Sequence, residues 1–123
     1  MALFQINHRF YPLRLNAFVR NEVELTIELE NEANDIIWSE CDIIVPEAVS
    51  LAPDRELTKG RVRVGIMRPR EVLTKKCKIY GSARSYPEVY PVRIIAYGFG
   101  NDGSIVGREE KRIDLRCERL GNE

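Results

Sequence analysis

His8 is the only histidine among the 123 residues, so any Ser/His/Asp or Cys/His nucleophilic arrangement would have to be built on this one side chain near a chain end. The three cysteines, Cys41, Cys77 and Cys117, are an odd number without CxxC or Cys/His spacing, which suits neither a disulfide framework nor a structural zinc site. They read as small buried hydrophobes. Cys77 lies among Lys75, Lys76 and Lys78, cations that could acidify a thiol, but it shares parity with Ile79 and should point into the core, where a thiol is inert. The acidic residues Glu40, Asp42 and Glu47, and separately Asn101 and Asp102, lack the closely spaced loop oxygens of a calcium site. Glycines 98, 100, 103 and 107 straddle a hairpin and do not lead into a helix, so they cannot form a phosphate loop. The expectation is a protein with no catalytic residue, no metal and no cofactor.

The elements that would position these residues are strands. From Glu22 to Glu30 every second side chain is aliphatic and every intervening one polar, closed by Asn31, which is the pattern of a half-buried β-strand. The same period recurs with turn residues about every ten positions, and no window supports a long helix. A first strand over 10–15 carries Pro12 and belongs at a sheet edge, with a short strand at 3–6 before it. Further strands are expected at 36–45, closed by Pro46, at 60–66 with the valines and Ile66 inward, at 72–80 and at 90–99. Asn101-Asp102-Gly103-Ser104 turns the chain into a last strand reaching Glu118. A short edge strand fits 47–51. One domain over 1–123 is expected, with 1–9 an N-terminal extension or edge strand and 119–123 a disordered tail.

This order of features resembles an immunoglobulin-like antiparallel β-sandwich of seven to eight strands, of the kind found in CARDB-type prokaryotic modules. The resemblance rests on the alternating strand ending in Asn31, Pro46, the turn Pro69-Arg70-Glu71, and Tyr90-Pro91-Val92-Arg93-Ile94 opening a late strand. Leu25, Ile27, Val92 and Ile94 occupy the positions where a cross-sheet disulfide would sit, which implies aliphatic packing and a reducing compartment. Tyr90 would enter the core with its hydroxyl bonded to an upstream backbone group, like a tyrosine corner. The resemblance also implies that the strand with Arg61 and Arg63 lies beside the one with Lys76 and Lys78, and that one beside Glu22, Glu24, Glu28 and Glu30. The basic segments, Arg61, Arg63, Arg68 and Arg70 included, are then expected to pair within the sheet and not to bind nucleic acid.

Nineteen basic residues balance nineteen acidic ones, so no global field selects nucleic acid, a membrane or an acidic substrate. No leader pattern and no stretch of roughly 20 apolar residues occurs, and a soluble, cytoplasmic protein is expected. One pattern is not explained by a simple core. If Val92, Ile94 and Ala96 face inward, then Arg93, Ile95, Tyr97 and Phe99 face outward; if Ile37, Ser39, Cys41, Ile43 and Val45 face inward, then Ile36, Trp38 and Ile44 lie outside. In an immunoglobulin-like order these two strands, C and F, are neighbours, with Arg112, Asp114 and Arg116 beside them on strand G. Aromatic side chains with an arginine rim have the composition of a protein interface. The expected function is therefore a non-enzymatic interaction domain that binds a protein partner, or itself as a homodimer, through the C-F-G sheet, using Ile36, Trp38, Arg93, Ile95, Tyr97, Phe99, Arg112 and Arg116. The alternative is a small-ligand or carbohydrate-binding module that stacks its ligand on Trp38, Tyr97 and Phe99, with Glu40 and Asp42 as acceptors.

Overall fold

The computed structural model of the chain describes residues 3 to 119, and within them it contains strands and no helix. Eight strands follow one another: β1 (Phe4–Tyr11), β2 (Arg14–Asn16), β3 (Asn21–Asn31), β4 (Ile37–Ile44), β5 (Lys59–Met67), β6 (Val72–Gly81), β7 (Glu88–Phe99) and β8 (Ile105–Glu118). They form a three-stranded sheet in the order β1-β3-β6 and a five-stranded sheet in the order β2-β8-β7-β4-β5. The alternation in each sequence fixes which side chains meet between the sheets. Leu25 and Ile27 of β3, Cys41 and Ile43 of β4, Val92 and Ile94 of β7, and Ile113 and Leu115 of β8 are all buried. The parity expected for β3, β4 and β7 holds.

Four expectations need correction. The first strand does not run over 10–15: a single strand spans Phe4–Tyr11 on the edge of the small sheet, the Tyr11–Pro12 peptide is cis, and Arg14–Asn16 crosses to the large sheet, where it pairs parallel with β8. The five-stranded sheet is therefore not wholly antiparallel. Secondly, β5 is hydrogen-bonded to β4 and not to β6. Arg61 pairs with Glu40 and Asp42 of β4, whereas β6 would have set it beside lysines; alternation gives the two faces of a strand and not its neighbour.

Thirdly, Ile66 points outward. The β4–β5 register passes from Ser39↔Gly65 to Glu40↔Arg63, leaving Val64 as an extra residue, and Gly65 has a φ of 126°. That conformation is open to glycine and strained for other residues, and the bulge it permits shifts the inward phase by one. Met67 becomes fully buried and Ile66 exposed. Fourthly, the segment 47–51 contributes only one bridge, Ser50↔Tyr80. Of the tail expected over 119–123, Arg119 is described, with its guanidinium 5.8 Å from the Phe18 ring centroid, and residues 120–123 lie outside the described residues.

Polar side chains tie down the strand ends and the turns beside them. Asn31 is fully buried; its amide donates to the carbonyls of Asp35 (2.9 Å) and Met67 (3.2 Å), and its side-chain oxygen accepts from the Ala33 N–H (2.9 Å). The Tyr90 ring is buried, and its hydroxyl donates to the Tyr86 carbonyl, as the tyrosine-corner expectation required. On the outer face of the small sheet Lys78 meets Glu22 at 2.8 Å and Lys76 meets Glu24 at 3.9 Å, which is the acidic-on-basic pairing expected there. The three cysteines are free. Cys41 and Cys117 are buried and Cys77 half-buried. Burial pushes the Cys41 thiol up to about 12 and the Cys77 thiol up to about 11, with Glu24 adding to the latter. The lysines around Cys77 do not activate it.

Candidate functional site

The outer face of β5-β4-β7-β8 is a grid of cross-strand neighbours, because residues directly opposite in an antiparallel ladder share a face. Its first row is Lys59, Ile44, Arg93 and Arg112; its second is Arg61, Asp42, Ile95 and Glu110. The third is Arg63, Glu40, Tyr97 and Arg108, and the fourth Ile66, Trp38, Phe99 and Ile105. Polarity therefore changes along the strands. Three charged rows end in one that is wholly apolar.

The charged rows are tied together internally. Arg61 donates through Nε and Nη2 to the two Asp42 oxygens at 2.7 and 3.2 Å and through Nη1 to Glu40 at 3.2 Å, and its guanidinium lies 5.2 Å from the Tyr97 ring centroid. This hydrogen bonding holds the Asp42 carboxyl below its ordinary value against the burial that would raise it. Arg93 donates twice to Glu110, at 2.6 and 3.1 Å, and Arg108 donates to the same carboxylate at 3.2 Å. The Glu110 carboxyl is lowered by these partners, Arg93 first. Lys59, Arg63 and Arg112 have no ion-pair partner among the described residues.

The apolar row is open. Ile66 is 62 % exposed, Ile105 61 % and Trp38 37 %, with Phe99 half-buried between them. The Trp38 indole N–H donates to Glu40 at 3.0 Å, so its polar atom is satisfied beneath an accessible ring. Ile36, two residues before Trp38 and outside the strand, is 53 % exposed. Of the residues expected from sequence, Ile36, Trp38 and Phe99 gather at this end, and Arg112 and Arg116 are exposed further along β8. Ile95 is only 4 % exposed, enclosed by the charged side chains on either side, and Arg93 is engaged by Glu110. Tyr97 lies under Arg61. The sequence reading missed Ile66, because of the bulge at Gly65, and Ile105, because its register against Phe99 depends on a second irregularity at Gly98/Phe99.

The acceptors proposed for a small ligand are committed elsewhere, since both oxygens of Asp42 bind Arg61 and Glu40 serves Trp38 and Arg61. The described residues hold no group of three or more His, Cys, Asp or Glu side chains able to bind a metal ion, and no helix long and apolar enough to cross a membrane. His8 is exposed on β1, with its ring 5.8 Å from that of Phe10. Partial desolvation of the ring on the sheet surface, and then the neighbouring Lys111, lower its pKa.

Fold and surface together define an all-β domain of two sheets with one two-toned outer face. No protein-family model matches the chain, and no curated protein does. Among solved structures it is similar to a FixG-related protein from Vibrio parahaemolyticus, with 13% sequence identity over 94% of this chain and 98% of that one and a TM-score of 0.48. It is also similar to Spo0M, a sporulation control protein from Bacillus subtilis, with 13% identity, a TM-score of 0.52, and coverage of 98% of this chain and 51% of that one. The chain thus spans about half the length of Spo0M, and at this identity the likeness concerns the fold alone.

Proposed function

We propose that this chain is a non-catalytic immunoglobulin-like domain that binds protein through the outer face of its five-stranded sheet. The order β1-β3-β6 against β2-β8-β7-β4-β5 and the Tyr90 corner support the immunoglobulin-like reading. Three free thiols fit a reducing, cytoplasmic setting. The observation that carries the functional reading is the row Ile66, Trp38, Phe99 and Ile105, four large apolar side chains side by side at the surface. Soluble domains seldom leave such residues contiguous unless something covers them, and Trp is among the commonest anchors of binding energy at interfaces.

Selection of a displayed random-peptide library on the wild type and on an Ile66→Asp/Ile105→Asp variant tests the reading. Enrichment on the wild type and its loss on the folded variant is the expected result. Clones that bind both proteins equally, or no enrichment at all, would sink the proposal.

A further inference from the structure

We infer that the occupant of this face is an acidic protein segment with apolar anchor residues, a reading that rests on the face being a protein interface. The grid presents six cations, Lys59, Arg61, Arg63, Arg93, Arg108 and Arg112, against three anions, Glu40, Asp42 and Glu110. Each of those anions is already bonded to an arginine of the same face. Three positive charges are left over, and no carboxylate of the grid is free to receive an incoming cation. Arg63 stands in the row beside Ile66, Trp38, Phe99 and Ile105, so a ligand whose apolar side chains reach that row passes within range of an unpaired guanidinium. Arginine on a rim selects carboxylates bidentately.

A second copy of the chain is a poorer occupant. The exposed fractions of the apolar row offer roughly 400 Å² or less per copy, against about 800 Å² per partner in a stable interface. Extending the contact along the sheet to reach that size sets one cation-rich grid against another. Single-stranded nucleic acid also fits less well, because its bases need bare rings to stack on. Tyr97 is capped by Arg61, and three carboxylates stand among the cations where phosphates would run.

The test is fluorescence anisotropy with labelled probes and the intact protein. The probes are a peptide of about ten residues alternating glutamate with leucine or phenylalanine, the same peptide with lysine for glutamate, polyglutamate of equal length, and oligothymidylate. The acidic apolar peptide should bind; Ile66→Asp and, separately, Arg63→Glu should each weaken it about tenfold with an unchanged melting temperature. Raising salt from about 0.05 to 0.5 M should weaken it by a similar factor. Equal binding of the lysine peptide, equal binding of polyglutamate, tighter binding of oligothymidylate, or no binding of the acidic peptide would each overturn the inference. Lysine-peptide binding or self-association that Ile66→Asp abolishes would overturn the acidic partner while leaving the protein-interface reading intact. Were no probe, library clone or second copy to depend on Ile66, that reading would fall too.

Discussion

At the scale of single residues, Asp42 decides how the large sheet's outer face is wired. It is 2 % exposed, yet ionised, because Arg61 supplies two hydrogen bonds to it while the guanidinium itself remains half in water. Its folded pKa lies below the ordinary carboxylate value, so the stabilisation is complete above about pH 4 and is lost as pH falls through the lowered folded pKa. The urea midpoint of the wild type should therefore exceed that of Asp42→Asn by a constant margin between about pH 7 and 5, and the margin should close below about pH 4. A margin independent of pH down to the acid limit would show that packing, not ionisation, is what Asp42 provides. Residue identities of this kind were partly legible: the parity of Asp42 with Trp38 and Glu40 placed all three on the outer face. What the sequence did not contain was the partner, because the period of residues 60–66 fixes the face of Arg61 and not the strand beside it.

At the scale of elements, the β5 edge of the large sheet and the β6 edge of the small one each carry a device that discourages pairing with another chain. β5 is bent by the bulge at Gly65. β6 carries Lys75, which opposes Ile27 on the inner face and shares the parity of Leu73, Cys77 and Ile79, yet remains exposed. An inward-facing lysine on an edge strand resists docking of a further strand, since its charge would be enclosed. Lys75→Val should convert β6 into an adhesive edge. Light scattering against protein concentration should then show association in the variant and none under the same conditions in the wild type; identical behaviour of the two would remove this role for Lys75. The existence and inward phase of the long strands were readable because period two is local. Bulges and sheet order were not, since they depend on a glycine's backbone angle and on contacts between strands far apart in the chain.

At the scale of the whole molecule, Asn31 joins the two sheets at one end. It terminates β3 of the small sheet, and its amide reaches the Met67 carbonyl at the end of β5 in the large one, while its backbone carbonyl accepts from the Arg70 N–H at 2.8 Å. Replacing it with alanine leaves a buried carbonyl and a turn N–H without their partners. A loss of about 1 to 3 kcal/mol is expected from such groups. Equilibrium urea denaturation of Asn31→Ala measures it, and a midpoint within error of the wild type would mean that water replaces the side chain at no cost. Asn31 could be read from sequence only as the polar stop of an alternating run. Its role between sheets requires residues 36 positions apart to be neighbours.

The bulge at Val64 also makes one glycine the switch for what this end of the sheet displays. Removing Val64 would only restore a regular ladder, with Gly65 still opposite Ser39, Ile66 opposite Trp38 and Met67 opposite Ile37, so Ile66 would stay outward. A residue at position 65 that straightened β5 at constant length would instead slide the end of the strand by one place, turning Ile66 into the interior and Met67 out to solvent. The surface row would exchange a stiff, branched side chain for a flexible thioether without any substitution in the row itself. A shortening here is silent, and a change of backbone conformation is not.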